Sequence, residues 1–78
     1  MKQIKAKKVN RLIEQALNLK QKGELLKAEY DLKKALKIEP NNFIALNNLG
    51  NIFSVKNDLK KAEFFFSKAI NIKQDYSN

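Results

Sequence analysis

The sequence lacks cysteine and histidine, and its 78 residues include only one proline and two glycines. Without cysteine there is no disulfide and no thiol nucleophile, and without histidine as well the usual zinc ligands are missing. No segment approaches the roughly 18 apolar residues of a membrane-spanning helix, and the first eight residues contain no apolar run of the signal-peptide kind. These absences predict a soluble, cytoplasmic protein, or a piece of a longer one, without cofactor or metal.

Basic charge is in excess, with 16 Lys and Arg against 8 Asp and Glu, which gives a net charge of +8. Residues 1–8 carry four lysines and no acid, so half of this excess lies in the first eight positions. Basic charge alone gives non-specific, salt-sensitive affinity for nucleic acid. The cluster has no interleaved aromatic residues and Arg11 is the one arginine, so a nucleic-acid partner is the weaker alternative. We interpret residues 1–8 as a basic extension that continues into the first helix, and residues 77–78 as a tail.

Apolar residues recur at helical spacing along almost the whole chain, which predicts an all-α fold. Gly23 can adopt the left-handed conformation that ends a helix. Pro40 stops a second helix, and Asn57 and Asp58 favour a turn. The sequence therefore predicts four helices, over residues 3–21, 25–38, 43–56 and 59–73.

Residues 9–42 and 43–76 form an internal repeat with an offset of 34. The matches fall mainly at packing and turn positions, which indicates two tandem helix-turn-helix units, or an α-solenoid, rather than a plain four-helix bundle. In each unit, small residues would allow two helices to approach closely while large apolar residues fill the seam between them. The identical pairs are Leu12/Leu46, Lys22/Lys56, Leu25/Leu59, Lys27/Lys61, Ala28/Ala62, Glu29/Glu63, Lys34/Lys68, Ala35/Ala69 and Ile38/Ile72.

This pattern resembles the tetratricopeptide repeat over residues 9–76. The first unit departs from the family pattern at Gln15, where leucine is usual, and the second ends in Gln74, where proline is usual. Both units have leucine, Leu12 and Leu46, where the family has a bulky aromatic residue. The matching positions are Leu12, Ala16, Leu19, Gly23, Ala28, Leu32, Ala35 and Pro40 in the first unit, and Leu46, Leu49, Gly50, Phe53, Ala62, Phe66 and Ala69 in the second.

The resemblance implies a non-enzymatic scaffold that binds a protein or peptide in a groove lined by the first helix of each unit. Asn47 and Asn51 are four residues apart, and their amides could hold an extended peptide backbone by paired donor and acceptor bonds; alternatively, they reflect only an asparagine-rich composition. The two-carboxylate clamp of some family members is not expected, because Ile13 and Leu17 replace its Lys and Asn. The groove residues implied by the resemblance are Ile13, Leu17, Lys20, Asn47, Asn48, Asn51 and Ser54.

The last helix contains three consecutive phenylalanines, which point about 100° apart and cannot all face one core. Phe66 repeats Leu32 and is expected inside, and Phe64 is expected to be half covered. Phe65 replaces Asp31, which we expect to be an exposed charge, so the ring is expected to be exposed. Repeats bury their apolar faces against neighbours, which predicts self-association as a dimer or helix-exchanged oligomer; a fragment or a marginal monomer are the alternatives. The predicted edge consists of Phe65, Ile70, Ile72 and Tyr76.

Overall fold

A computed structural model describes residues 2–77, with side chains described from residue 5 to residue 73. Within this range the chain forms four α-helices and no strand, as the sequence predicts. The last helix continues beyond residue 73, where the sequence predicts its end, and the third ends one residue early. The helices are α1 (Lys2–Gln21), α2 (Leu25–Ile38), α3 (Phe43–Val55) and α4 (Leu59–Ser77).

The turns inside the two helical pairs have the same backbone geometry. Gly23 has a φ of 83° and Asn57 a φ of 65°, so both occupy the left-handed region that glycine and asparagine tolerate best. The next residue in each turn donates its N–H back to the preceding helix, from Glu24 to the Leu19 carbonyl at 2.9 Å and from Asp58 to the Phe53 carbonyl at 2.8 Å. These bonds close a Schellman-type end on α1 and on α3.

The connection between α2 and α3 is fixed by Asn42. Its side chain accepts a hydrogen bond from the Ala45 N–H at 3.0 Å, which satisfies a free donor at the start of α3. The same side chain donates to the Glu39 carboxylate at 2.9 Å. With Pro40 between them, these contacts reverse the chain direction from α2 to α3.

The helices form two stacked antiparallel pairs. α1 packs on α2 and α3 packs on α4, while α2 packs on α3 and α1 also meets α3. Within the part of the chain that the structure describes, α4 contacts α3 alone, so the helices do not close into a bundle. The largest side chains at the centre of the stack are Val9, Leu32, Leu46, Leu49 and Ile52.

Gly50 allows α3 and α4 to approach closely. A Cβ atom at this position would lie 2.6 Å from Cε1 and 2.7 Å from Cδ1 of the Phe66 ring. The corresponding pair in the first unit is Ala16 and Leu32, both buried. At this junction the second unit thus pairs a smaller residue, Gly50, with a larger one, Phe66, than the first unit does.

Candidate interaction surfaces

The predicted groove residues on α1 differ in accessibility. Ile13 is 7% exposed and belongs to the hydrophobic core, which corrects the expectation that it contacts a ligand. It is covered because it lies on the side of α1 against which the second helical pair packs. Leu17 is 39% exposed, and Lys20 is partly buried. On α1, Leu17 is therefore the apolar groove residue that a partner can reach.

The predicted groove residues on α3, three asparagines and one serine, differ in hydrogen bonding and exposure. The Asn48 Nδ2 atom donates to the Ile44 carbonyl of its own helix at 2.9 Å, so one of its donor hydrogens is used locally. Asn51 is partly buried, while Asn47 and Ser54 are exposed. Asn47 and Asn51 show no side-chain hydrogen bond to the residues that the structure describes.

The repeat relation compares these α3 residues with the residues of α1. Asn47 corresponds to Ile13, which the second pair covers, so Asn47 lies on the side of α3 that points away from α1. Asn51 corresponds to Leu17, and neither is fully buried: Leu17 is 39% exposed and Asn51 is partly buried. Asn47, Asn51 and Ser54 follow one another at spacings of four and three residues, so they share one side of α3, and Asn48 lies at the edge of that side.

The predicted edge on α4 requires one correction, at Phe65. Phe65 is partly buried rather than exposed, because its ring stacks on Phe53 with centroids 5.5 Å apart and planes 6° apart. Phe64 is 59% exposed, close to the expected half coverage, and it meets Phe65 edge-on with ring centroids 5.2 Å apart. Phe65 points towards the partner helix of its own pair, a direction that periodicity alone does not specify.

Asp31, which corresponds to Phe65 in the first unit, is buried as well. Only 7% of its surface is exposed, and its Oδ2 atom is buried without a hydrogen-bond partner among the described residues. This corrects the expectation of an exposed charge at Asp31. A buried acceptor without a donor lowers the stability of the fold.

The remaining edge residues include an exposed apolar side chain. Ile70 is 56% exposed, while Ile72 is partly buried. The Tyr76 side chain lies outside the described residues. Leu59 lies outside the predicted edge and is 63% exposed. Its identity with Leu25 is the sequence signal that indicates it.

One acidic residue joins the two helical pairs. The Glu29 carboxylate lies 2.9 Å from the Lys33 Nζ atom on its own helix and 3.0 Å from the Lys56 Nζ atom at the end of α3, and its side chain is 15% exposed. Burial raises the pKa of Glu29, but the hydrogen bonds and charges of the two lysines outweigh burial and hold the pKa below its ordinary value. The sequence spacing indicates the Lys33 pair; the Lys56 pair follows only from the fold.

Among the residues that the structure describes, no group of three or more acidic side chains is arranged to hold a metal ion. No helix in that part of the chain is long and apolar enough to cross a membrane.

Two stacked antiparallel pairs with a shared turn geometry define the chain as a helical-hairpin repeat protein. Comparison with known families gives the particular class: the chain matches the family "TPR repeat" over residues 16–54 and the family "Tetratricopeptide repeat" over residues 44–76. The protein therefore belongs to the tetratricopeptide repeat family. Repeats of this family generally mediate protein–protein interaction.

A curated relative is the "Uncharacterized protein ycf37" of Pyropia yezoensis, which is 40% identical over 50 residues. The match covers 64% of this chain and 28% of the relative. No solved structure matches the chain.

Proposed function

We propose that the protein is a non-enzymatic scaffold that binds a peptide or a segment of a partner protein along the surface shared by α1 and α3. The single observation that carries this proposal is that corresponding positions of α1 and α3 hold an accessible apolar side chain, Leu17, and an amide without a hydrogen bond to the described residues, Asn51. Leu17 offers a contact for an apolar side chain, and Asn51 offers a donor and an acceptor to a peptide backbone. The cytoplasmic location expected from the sequence stays a prediction, which imaging of a tagged chain tests.

The charge of the protein favours an acidic partner segment. The net charge is +8, and Lys20 lies on α1 three residues beyond Leu17. Opposite charge accelerates association and weakens with added salt. We therefore expect peptides selected against this surface to combine one aliphatic anchor with acidic residues.

The test uses peptides selected from a random display library on the full chain, with affinity then measured by fluorescence anisotropy. Leu17→Asp and Asn51→Ala should each weaken the selected peptides. The matched control is Asn18→Ala, because Asn18 is an exposed asparagine on the other side of α1. We expect a smaller effect from Asn47→Ala, since that residue lies beside Ala69 and Ile70 of α4 and is farther from α1. Peptides that bind the Leu17 and Asn51 variants as tightly as the unchanged chain would contradict the proposal.

Self-association through α4 is a second candidate, favoured by the exposed Ile70 on that helix. A two-fold dimer would cover the same surface on both copies. Light scattering over a range of concentrations tests this possibility, with Ile70→Asp as the variant that should remain monomeric. Phe65→Asp is unsuitable because that ring packs on Phe53. A mass that stays at one chain at every concentration would remove this candidate.

A further inference from the structure

The outer side of α4 carries counterparts of the residues on the side of α2 that packs against α3. On α2, Leu32 is buried, and Leu25, Glu29 and Leu36 are partly buried. On α4, the corresponding Leu59, Glu63 and Ile70 are exposed, and Phe66 is partly buried. Two of the four positions are identical between the helices, and the other two exchange one large apolar residue for another. The corresponding pairs are Leu25/Leu59, Glu29/Glu63, Leu32/Phe66 and Leu36/Ile70.

The contact between α3 and α2 shows what such a surface accepts. Lys56, just after the last turn of α3, reaches Glu29 near the start of α2 at 3.0 Å, so the two helices run antiparallel. Ala45, Leu49 and Ile52 precede Lys56 at helical spacing and are completely buried. The helix that fits has a stripe of small and aliphatic residues that ends in a basic residue.

We propose that Leu59, Glu63, Phe66 and Ile70, here called the end surface, bind an amphipathic helix that lies antiparallel to α4. The helix presents a stripe of alanine, leucine and isoleucine to Leu59, Phe66 and Ile70. A lysine or arginine near its C-terminal end pairs with Glu63, which has no ion-pair partner among the side chains described from residue 5 to residue 73. This surface is separate from the groove, so the two proposals stand or fall independently.

The α1 helix of a second copy does not have this chemistry. At the positions that correspond to Ala45, Leu49 and Ile52 of α3, α1 carries Arg11, Gln15 and Asn18, all of them exposed. Burial of such polar groups against apolar side chains without hydrogen-bond partners costs free energy. The net charge of +8 on each copy also opposes their association. The observations therefore favour a partner helix of different sequence from α1.

The probe for this test is a peptide of residues 43–56, which carries the α3 stripe and Lys56. A hydrocarbon crosslink in place of Asn47 and Asn51 keeps it helical, and these positions lie outside the stripe. Fluorescence anisotropy should show binding to the full chain, weakened by at least about tenfold in Ile70→Asp, the loss expected when a charge must be buried. Leu26→Asp, an equally drastic change at an exposed leucine on α2, should leave binding unchanged.

A charge exchange tests the role of Glu63. Glu63→Lys should weaken the peptide by about threefold to fivefold, as expected for a partly exposed ion pair. A peptide with Lys56→Glu should recover that loss. Glu14→Lys changes the net charge equally at an exposed site on α1 and should have little effect.

Three results would overturn the proposal. The first is absence of peptide binding, and the second is binding that Ile70→Asp leaves intact while circular dichroism shows unchanged helicity. The third is a dimer that Ile70→Asp dissociates and the peptide does not, which would assign the end surface to a second copy.

Discussion

Replacement of Gly50 by alanine tests how closely α3 and α4 are packed. Alanine is the better helix former by about 1 kcal/mol, so helix propensity alone predicts a more stable protein. The structure predicts the opposite, because the new Cβ would lie 2.6 Å from the Phe66 ring, about 1 Å inside an ordinary carbon–carbon contact. Overpacking of this kind costs about 1–3 kcal/mol. We expect Gly50→Ala to lower the free energy of unfolding by about 1 kcal/mol after the gain in propensity is subtracted.

The first unit supplies the compensating change. It places Ala16 opposite Leu32 at the same junction, so Phe66→Leu should make room for alanine at position 50. Phe66→Leu alone should cost about 1 kcal/mol through lost packing. The double variant should be more stable than the sum of the single effects by about 1–2 kcal/mol, within the range measured for residues in contact.

Urea denaturation followed by circular dichroism at the helix band measures these values for the four proteins of the cycle. A change of 1 kcal/mol shifts the melting temperature of a domain of this size by about 4–8 °C, which is easily resolved. If Gly50→Ala alone stabilises the protein and the double variant shows no coupling, the Phe66 ring moves aside freely. That result would refute the packing argument.

Three further predictions concern single side chains. Asp31→Leu should raise the free energy of unfolding by about 1–3 kcal/mol, because it removes a buried acceptor that lacks a donor. Asn42→Ala should lower it by about 1 kcal/mol through loss of the cap of α3. Glu29 has a lowered pKa in the folded protein, so its ion pairs stabilise the fold above its unfolded pKa and lose that effect as the pH falls through the folded pKa; Glu29→Gln should flatten the pH dependence of stability below about pH 5.

The same denaturation measurements provide the controls. Glu14→Leu, at an exposed acidic residue on α1, should change stability by less than about 0.5 kcal/mol. A similar gain in Glu14→Leu and Asp31→Leu would indicate a general charge effect. No loss in Asn42→Ala would mean that water replaces the cap. An unchanged acid profile in Glu29→Gln would place the titrating group elsewhere.

Periodicity and turn chemistry predicted the helices of this protein well. The apolar repeat located all four helices, and Gly23, Pro40 and Asn57 marked the turns. The positions that sequence reasoning misjudged lie on the flanks of the helices. A helical pattern identifies the buried side but not which neighbour covers each flank. Phe65 and Asp31 were therefore expected at the surface, although Phe65 stacks on Phe53 of α3 and Asp31 is buried.

The candidate sites were predicted less completely for the same reason. Ile13 and Leu17 are four residues apart on one helix, yet Ile13 is buried in the fold and Leu17 is 39% exposed. Comparison of burial between corresponding residues, such as Leu25 with Leu59, required the structure. Identical residues in different surroundings identified the end surface.

The polar outer flank of α1 has a consequence for assembly. A module whose two ends match can add copies of itself indefinitely and form fibres. Arg11, Gln15 and Asn18 on α1 do not match Leu59 and Ile70 on α4, so we expect no growth in which α1 of one copy packs on α4 of the next. A helix bound at the end surface would therefore give a finite complex that contains one copy of the chain, not a fibre.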